Sequence, residues 1–476
     1  MQGATGRLFT LTTYNNANAP MRRSLLYYTR ILVLPLFAVG MVLTGCDSSG
    51  SNGGGDNGGG DALNNNIDGT YPAPSSGKGY AEEIAINIQS ADLGIRLEGS
   101  NPNAGTLEDI YKGNQSAVSS EDIQLLPGAD EITAPSATTY GELPSSSFAD
   151  ISSDISGDDL LKSGDLQRTG SAPDAPQSAG TPVNANELIS YYLYDNSNGS
   201  AGWPKATTSN GVDMSQLSEK GVAGALTYAE GAAILNDFAE DGNVSGDVEE
   251  KWNEAFGHFG APRDFGAFVD LDASGGLSSG SFVDANDDSE TDLMTEGVYI
   301  WAGYTAERAA AAEANTPNDF AARAFNAFVD GREAIDNDNL PTKSKLSGIN
   351  GDAEEALDAW EETVAVNVIH YVNGMQGALG TFSGEITETK IDNNFDDETS
   401  GFEDSWGEAK AFVWALQFNE TGELSDSELQ TIHDKIGNDP PYSEGVDAST
   451  YNTDLAEVKQ TIQETYGFSE ANVQAW

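Results

Sequence analysis

The chain has 476 residues, 38% hydrophobic and 9% aromatic, enough apolar material for packed cores and too much for a wholly disordered polymer. Its 22 basic residues stand against 76 acidic ones, a formal net charge of −54, which excludes a general nucleic-acid binder because nothing would offset repulsion by phosphate. A carboxylate-dense surface suits concentrated salt, where self-repulsion is screened within about 3 Å at 1 M, so most of the acids read as the surface adaptation of a halophilic protein.

Residues 1–45 read as a signal peptide, with Met21 the expected start because residues 1–20 are polar. Arg22, Arg23 and Arg30 form a basic flank, and Ile31 to Val42 is an apolar stretch too short for a comfortable membrane span. Leu43-Thr44-Gly45-Cys46 then matches the bacterial lipobox, and Cys46 is the one cysteine of the chain. That count rules out an intrachain disulfide and a cysteine metal cluster. Acylation of Cys46 would hold the protein to membrane lipid without a transmembrane helix, which places it in the cell envelope, at the outer membrane, periplasmic or surface-exposed. Residues 46–70 are Gly, Asn, Ser and Asp with almost nothing apolar, a flexible tether with a mean reach of about 5–6 Å × √n.

Residues 71–476 read as an all-α domain. Helices are expected at Tyr80 to Leu97 and in the short stretch from Leu107. Gln115 to Val183 reads as loop with short helices. A helix from Asp213 to about Phe238 is apolar nearly all round between Gly221 and Leu235, with Glu230 its one carboxylate there, and should be central. Further helices are expected at Glu249 to Phe259, Leu293 to Ala314, Phe320 to Ile335, Asp352 to Met375, Ser405 to Phe418, Ser425 to Ile436 and Tyr451 to Tyr466. Ser425-Asp426 followed by Glu428 is a capped start. Alternating β pattern is almost absent.

One phrase occurs twice. Glu249, Trp252, Glu254 and Ala255 recur as Glu403, Trp406, Glu408 and Ala409, and in each copy the tryptophan starts an i, i+3, i+7 apolar face. Leu226-Thr-Tyr228-Ala-Glu-Gly231 resembles Ile369-His-Tyr371-Val-Asn-Gly374, each ahead of its tryptophan helix. Two pseudo-repeated helical bundles, one over about 71–340 and one over about 341–476, would account for this.

The stretches GVDMSQLSEKGVAGALTY, EEKWNEAFGHFGAPRDF, AFNAFVDGREAID, NVIHYVNG and SWGEAKAFVWALQFN resemble a bacterial lipoprotein family catalogued as a domain of unknown function, the DUF4856 type, related to imelysin-like helical proteins. The resemblance covers roughly Tyr80 to the end of the chain. It implies an all-α, imelysin-like bundle fold and an extracytoplasmic role, and no defined activity. The Gly-x-His-x-x-Glu motif of imelysins proper does not occur at Gly257-His258 or at His370, so neither an iron role nor a peptidase role carries over on that motif.

The chemistry is less legible. None of the three histidines, His258, His370 and His433, precedes a glutamate, so the His-Glu-x-x-His zinc pattern is missing. His258, near a helix end, reads as a capping or packing residue, and His370 as a satisfied histidine at the core edge. Glu230 in an apolar helix must be paired, protonated or metal-bound, and Arg332, in an aromatic stripe, is expected to pair with Glu230, Glu254 or Glu408. Asp241-Gly-Asn243, Asp270-Leu-Asp272-Ala-Ser274 and Asp284-Ala-Asn286-Asp-Asp288 imitate the start of a calcium loop, but the closing twelfth position falls on Trp252, Ser281 and Thr295 rather than on glutamate. The expected function is a lipid-anchored, non-enzymatic binding or scaffold protein. The alternatives are a component of metal acquisition that binds a divalent cation, calcium or iron, and, more weakly, a peptidase.

Overall fold

The structure is a computed structural model and describes residues 67, 69–98, 103–125, 135–143, 150–154, 166–167, 182–183, 186, 214–240, 244, 246–266, 268, 281–282, 288–312, 318–338, 348–380, 384–386, 401–438, 440–441 and 445–476. The lipobox and Cys46 lie outside them, as do Asp270, Asp272, Ser274, Asp284 and Asn286 of the candidate calcium loops. The fold is all-α. Among the described residues its longer helices are α1 (Ala81–Glu98), α2 (Ala104–Tyr111), α3 (Met214–Val222), α4 (Ala229–Ala239), α5 (Val248–Phe259), α6 (Ile300–Ala311), α7 (Phe320–Asp338), α8 (Asn350–Leu379), α9 (Phe402–Ala415), α10 (Asp426–Ile436), α11 (Ala448–Tyr466) and α12 (Glu470–Ala475), and single turns of helix stand at Gln115–Val118 and Ile151–Asp154. Two antiparallel pairs of two-residue strands, Leu166–Gln167 with Pro182–Val183 and Ser281–Phe282 with Gly297–Val298, are the extended elements among the described residues.

Local chemistry sets the helix ends. Asp247 caps α5 by accepting from the backbone N–H groups of Glu249 and Glu250 at 3.1 and 3.2 Å, and glutamates in its first turn oppose the helix dipole. Gly260, at φ +79, ends the same helix in the left-handed conformation that a side chain resists. At α10 the expected cap forms in full: Ser425 and Glu428 make a reciprocal capping box.

The thirty-residue α8 is the axis. It packs against α4, α6, α7, α9 and α11, and between Ala359 and Ile369 nearly every side chain is buried. Such a helix has no solvent face, unlike the single stripe expected over Asp352 to Met375. The packing does not divide at residue 340: α3 lies on α9, α7 lies on α8, and the described residues fall within one compact unit. Both repeated tryptophans are fully buried and play matching parts. The Trp252 indole donates to the Phe328 carbonyl at 2.9 Å and the Trp406 indole to that of Ile436 at 3.1 Å, so each burial satisfies its polar atom.

Two expectations need correction. The helix expected over Leu293 to Ala314 begins only at Ile300. Ahead of it, Asp292 accepts from the Met294 N–H at 2.9 Å and Glu296 from the Asp292 N–H at 2.8 Å, which closes a turn and lets Gly297–Val298 run extended. The helix over 214–239 is central, but it is broken by a π turn at Ala223–Tyr228. The Ala223 carbonyl accepts from the Thr227 hydroxyl at 2.7 Å and from the Trp301 indole at 3.3 Å. The wider turn rotates the helix, so Gly231, Ala232, Leu235 and Phe238 face inward while Glu230 and Ile234 are only half-buried. Glu230 is therefore not the core carboxylate that a constant 3.6-residue period implies.

At Gly331 of α7 an added Cβ would sit 2.2 Å from the Trp252 ring. Gly331→Ala is expected to cost about 1–3 kcal/mol by overpacking, read as a lower urea midpoint. An unchanged midpoint would contradict this packing of α5 on α7.

Candidate functional site

Three polar clusters interrupt the apolar packing. The first joins α5 to α7. The Arg332 side chain, 1% exposed, meets Glu249 at 2.5 Å, donates from Nε to Asn253 at 3.1 Å and also bonds Asp336 one turn along α7. Glu249 further pairs with Lys78 at 2.9 Å and accepts from the Ser75 N–H at 2.8 Å. Burial alone would raise the Glu249 carboxyl, but the Ser75 and Lys78 hydrogen bonds and the Arg332 charge hold it below the usual range. Tyr71 donates to Asn253 at 2.7 Å and stacks on Phe256 with ring centroids 3.6 Å apart. Arg332 thus pairs with Glu249, not with Glu230, Glu254 or Glu408. Glu249 and Asn253 lie at i and i+4 on the flank of the Trp252 stripe, a spacing that marks them as able to reach the same partner. Glu254, one turn from Glu250, bonds Lys251 instead.

The second cluster surrounds Glu408 of α9. Lys220 of α3 lies 3.7 Å from the Glu408 carboxyl and 2.5 Å from Glu219, with its ammonium 5.9 Å from the centre of the Tyr304 ring. Tyr371 of α8 lies beside Glu408 and stacks on Phe412 at 5.7 Å. Burial pushes the Glu408 carboxyl up to about 8, against the Lys220 charge and with help from Glu219 and Asp404. Lys220 itself is held charged by Glu219 and the groups around it despite its burial. Glu219 thus serves as the counter-ion of Lys220, and Glu408 is a carboxyl that keeps its proton at neutral pH and can donate or hold one. His370 adjoins the cluster: its ring meets Tyr371 edge-on at 4.9 Å, and Nδ1 donates to the Trp476 main-chain oxygen at 3.1 Å. Burial and the Arg308 charge push His370 down to about 3, so it is neutral. Sequence spacing singled out Glu408 and His370 but missed Lys220, Tyr304 and Tyr371 as the company of Glu408, because these come from helices other than its own.

The third cluster was not anticipated. Glu361, buried on α8, accepts from the Glu423 N–H at 2.8 Å, the Tyr466 hydroxyl at 2.7 Å and the Tyr228 hydroxyl at 3.4 Å, and also from Asn419. It pins the loop after α9, where Gly422 approaches so closely that a Cβ would lie 2.6 Å from the carboxylate.

Of the other expected residues, His258 is buried, and burial pushes it down to about 3, a neutral packing histidine at the end of α5. Asp288 lies in an exposed turn and accepts from the Glu290 N–H at 2.9 Å. Among the described residues no group of three or more His, Cys, Asp or Glu side chains is placed to hold a metal ion, and no helix is long and apolar enough to cross a membrane. A Gly-x-Ser-x-Gly string of the kind that carries a nucleophilic serine, Gly276-Leu-Ser-Ser-Gly280, also lies outside the described residues.

Arg332→Met should destabilise the fold by about 3 kcal/mol, because it strands buried acceptors, and the loss should persist in molar salt. Lys251→Met at the more open Glu254 pair should cost at most about 0.5 kcal/mol. Equal effects would show that the α5–α7 network adds nothing. For Glu408 the carboxyl is raised in the fold, so the native state binds the extra proton. Its stabilising contribution is complete below the unfolded value of about 4.3 and is lost as pH rises through about 8. Glu408→Gln should therefore flatten a downward slope of at most about 1.4 kcal/mol per pH unit between about pH 5 and 8, checked by urea midpoints of both proteins across that range.

No protein-family model, no curated protein and no solved structure matches this chain.

Proposed function

We propose that the protein is a lipid-anchored, extracytoplasmic helical binding or scaffold protein, imelysin-like in build and suited to high salt. The observation that carries this reading is the use made of its interior polar groups. Arg332, Glu249, Asn253, Glu361 and His370 each bond a partner on another helix or loop, so their geometry serves to fix helices against one another. The address comes from Cys46, placed where a lipobox requires its cysteine and followed by a Gly-, Asn- and Ser-rich tether. Metabolic labelling with a palmitate analogue tests the anchor: label is expected on the wild type and absent from Cys46→Ser, which should leave the membrane fraction. Unlabelled wild type would overturn the anchored reading.

The cation role rests on Asp270, Asp272, Ser274, Asp284 and Asn286, and elemental analysis of protein purified without added metal separates it from a metal-free scaffold. The acidic surface supplies one more expectation. The thermal midpoint should rise between about 0.1 and 1 M salt as charge repulsion is screened, and a midpoint that falls would remove the halophilic reading.

A further inference from the structure

The strongest feature not absorbed by these clusters is a groove of about 740 Å³ between α11, α12 and the end of α8, whose lining includes Gln376, Lys459, Gln460, Gln463, Phe468 and Gln474. Its volume lies within the range of small-molecule sites. Lys459 is 7% exposed. Its ammonium donates to the Asn373 side-chain oxygen at 2.6 Å, and Asn373 is fixed in turn by donating to the Val473 carbonyl at 2.8 Å.

That environment is unusual in this chain. Among the described lysines, Lys78, Lys112, Lys220, Lys251 and Lys435 each have a carboxylate within 4 Å, and Lys410 is held by the carbonyls of His433 and Gly437 at the end of α10. Lys459 has one neutral amide acceptor for three N–H donors. Burying an ammonium without a counter-charge is unfavourable, and burial accordingly lowers the affinity of Lys459 for its proton, opposed by Glu470. An anion entering the groove would relieve this.

The walls specify the rest of the ligand. Gln376 donates to Asn452, Gln460 to Glu464, Gln463 to the Phe468 carbonyl and Gln474 to Glu470. Each of these amides spends an N–H on a protein acceptor, and no hydrogen bond from the described residues reaches its side-chain oxygen, which is left to accept from a ligand. The groove therefore offers one cationic donor among several acceptors, with Glu464 and Glu470 on its lining. A polyanion would be repelled, whereas hydroxyl donors would be bound.

We propose that this groove binds a monocarboxylate polyol of the sugar-acid class, its carboxylate on Lys459 and its hydroxyls on the glutamine oxygens. This names a ligand class for the binding reading above but does not depend on the lipid anchor. The test is isothermal titration of the detergent-solubilised full chain with glucuronate, with glucose and with inorganic phosphate. Glucuronate is expected to saturate the protein, glucose to bind at least about tenfold more weakly and phosphate not to saturate. Lys459→Met should weaken glucuronate at least about tenfold while Lys459→Arg stays within about threefold. Gln463→Leu, a second variant should Lys459→Met not fold, should weaken glucuronate and glucose alike. Absence of glucuronate saturation up to about 50 mM, equal binding to Lys459→Met, unweakened binding to Gln463→Leu, or phosphate binding as tight as glucuronate would each overturn the proposal. Because acylation does not enter this titration, failed palmitate labelling together with glucuronate binding would remove the anchor and leave the groove.

Discussion

The fold depends on one constraint: α8 is buried on almost every side through its middle turns. A helix with no solvent face must be met by apolar surface from every direction, which is why α4, α6, α7, α9 and α11 gather round it. Close approach then becomes a requirement. Gly224 in the π turn faces Ala415 of α9, and Gly231 on α4 faces the Trp360 ring of α8, each with less than 3 Å to spare for a Cβ. The aromatic side chains fill what remains in a continuous run of ring contacts, edge-on from Tyr228 to Trp360 and from Trp360 to Phe259, and tilted from Phe259 to Phe328.

The same burial explains the polar clusters. A charged or hydroxyl group carried into such an interior is tolerated only with partners, and each partner must come from an element that packing has already brought close. Glu361 recruits Tyr228, Tyr466, Asn419 and the Glu423 backbone, and so ties the π turn, α11 and the loop after α9 to the axis. Arg332 links α7 to α5 through Glu249 and Asn253, and Lys78 extends that network to the segment before α1. The Glu408 cluster differs because burial outweighs the charge of Lys220, which also serves Glu219, and leaves a carboxyl that holds its proton. Lys459 differs again, since its nearest partner is a neutral amide facing a groove.

Much of the helix map was legible because apolar spacing, caps and glycines act locally. Trp252, Ala255, Phe256 and Phe259 mark one buried face, and Ser425 with Glu428 marks a start, whatever lies elsewhere in the chain. Pairing was not legible. The expected partners of Arg332 included Glu254, on the same helix as the true one but five residues along it, because nothing along the chain says how α7 is rotated over α5. The apolar run around Glu230 implied a buried carboxylate, and the π turn, maintained by Trp301 from another helix, turned it toward the edge.

From the amino-acid order alone came the all-α class, the placing of most helices, the acidic surface and the expectation of an anchor at Cys46, all of which follow from short-range pattern and composition. Tertiary structure alone decided that α8 is the axis, that Glu249 rather than Glu254 meets Arg332, that Glu361 gathers four donors and that Lys459 faces a groove of amides. These contacts join residues far apart in the chain, Glu361 and Tyr228 by 133 positions, and such contacts depend on crossing angles and helix rotation, which only the packed body fixes.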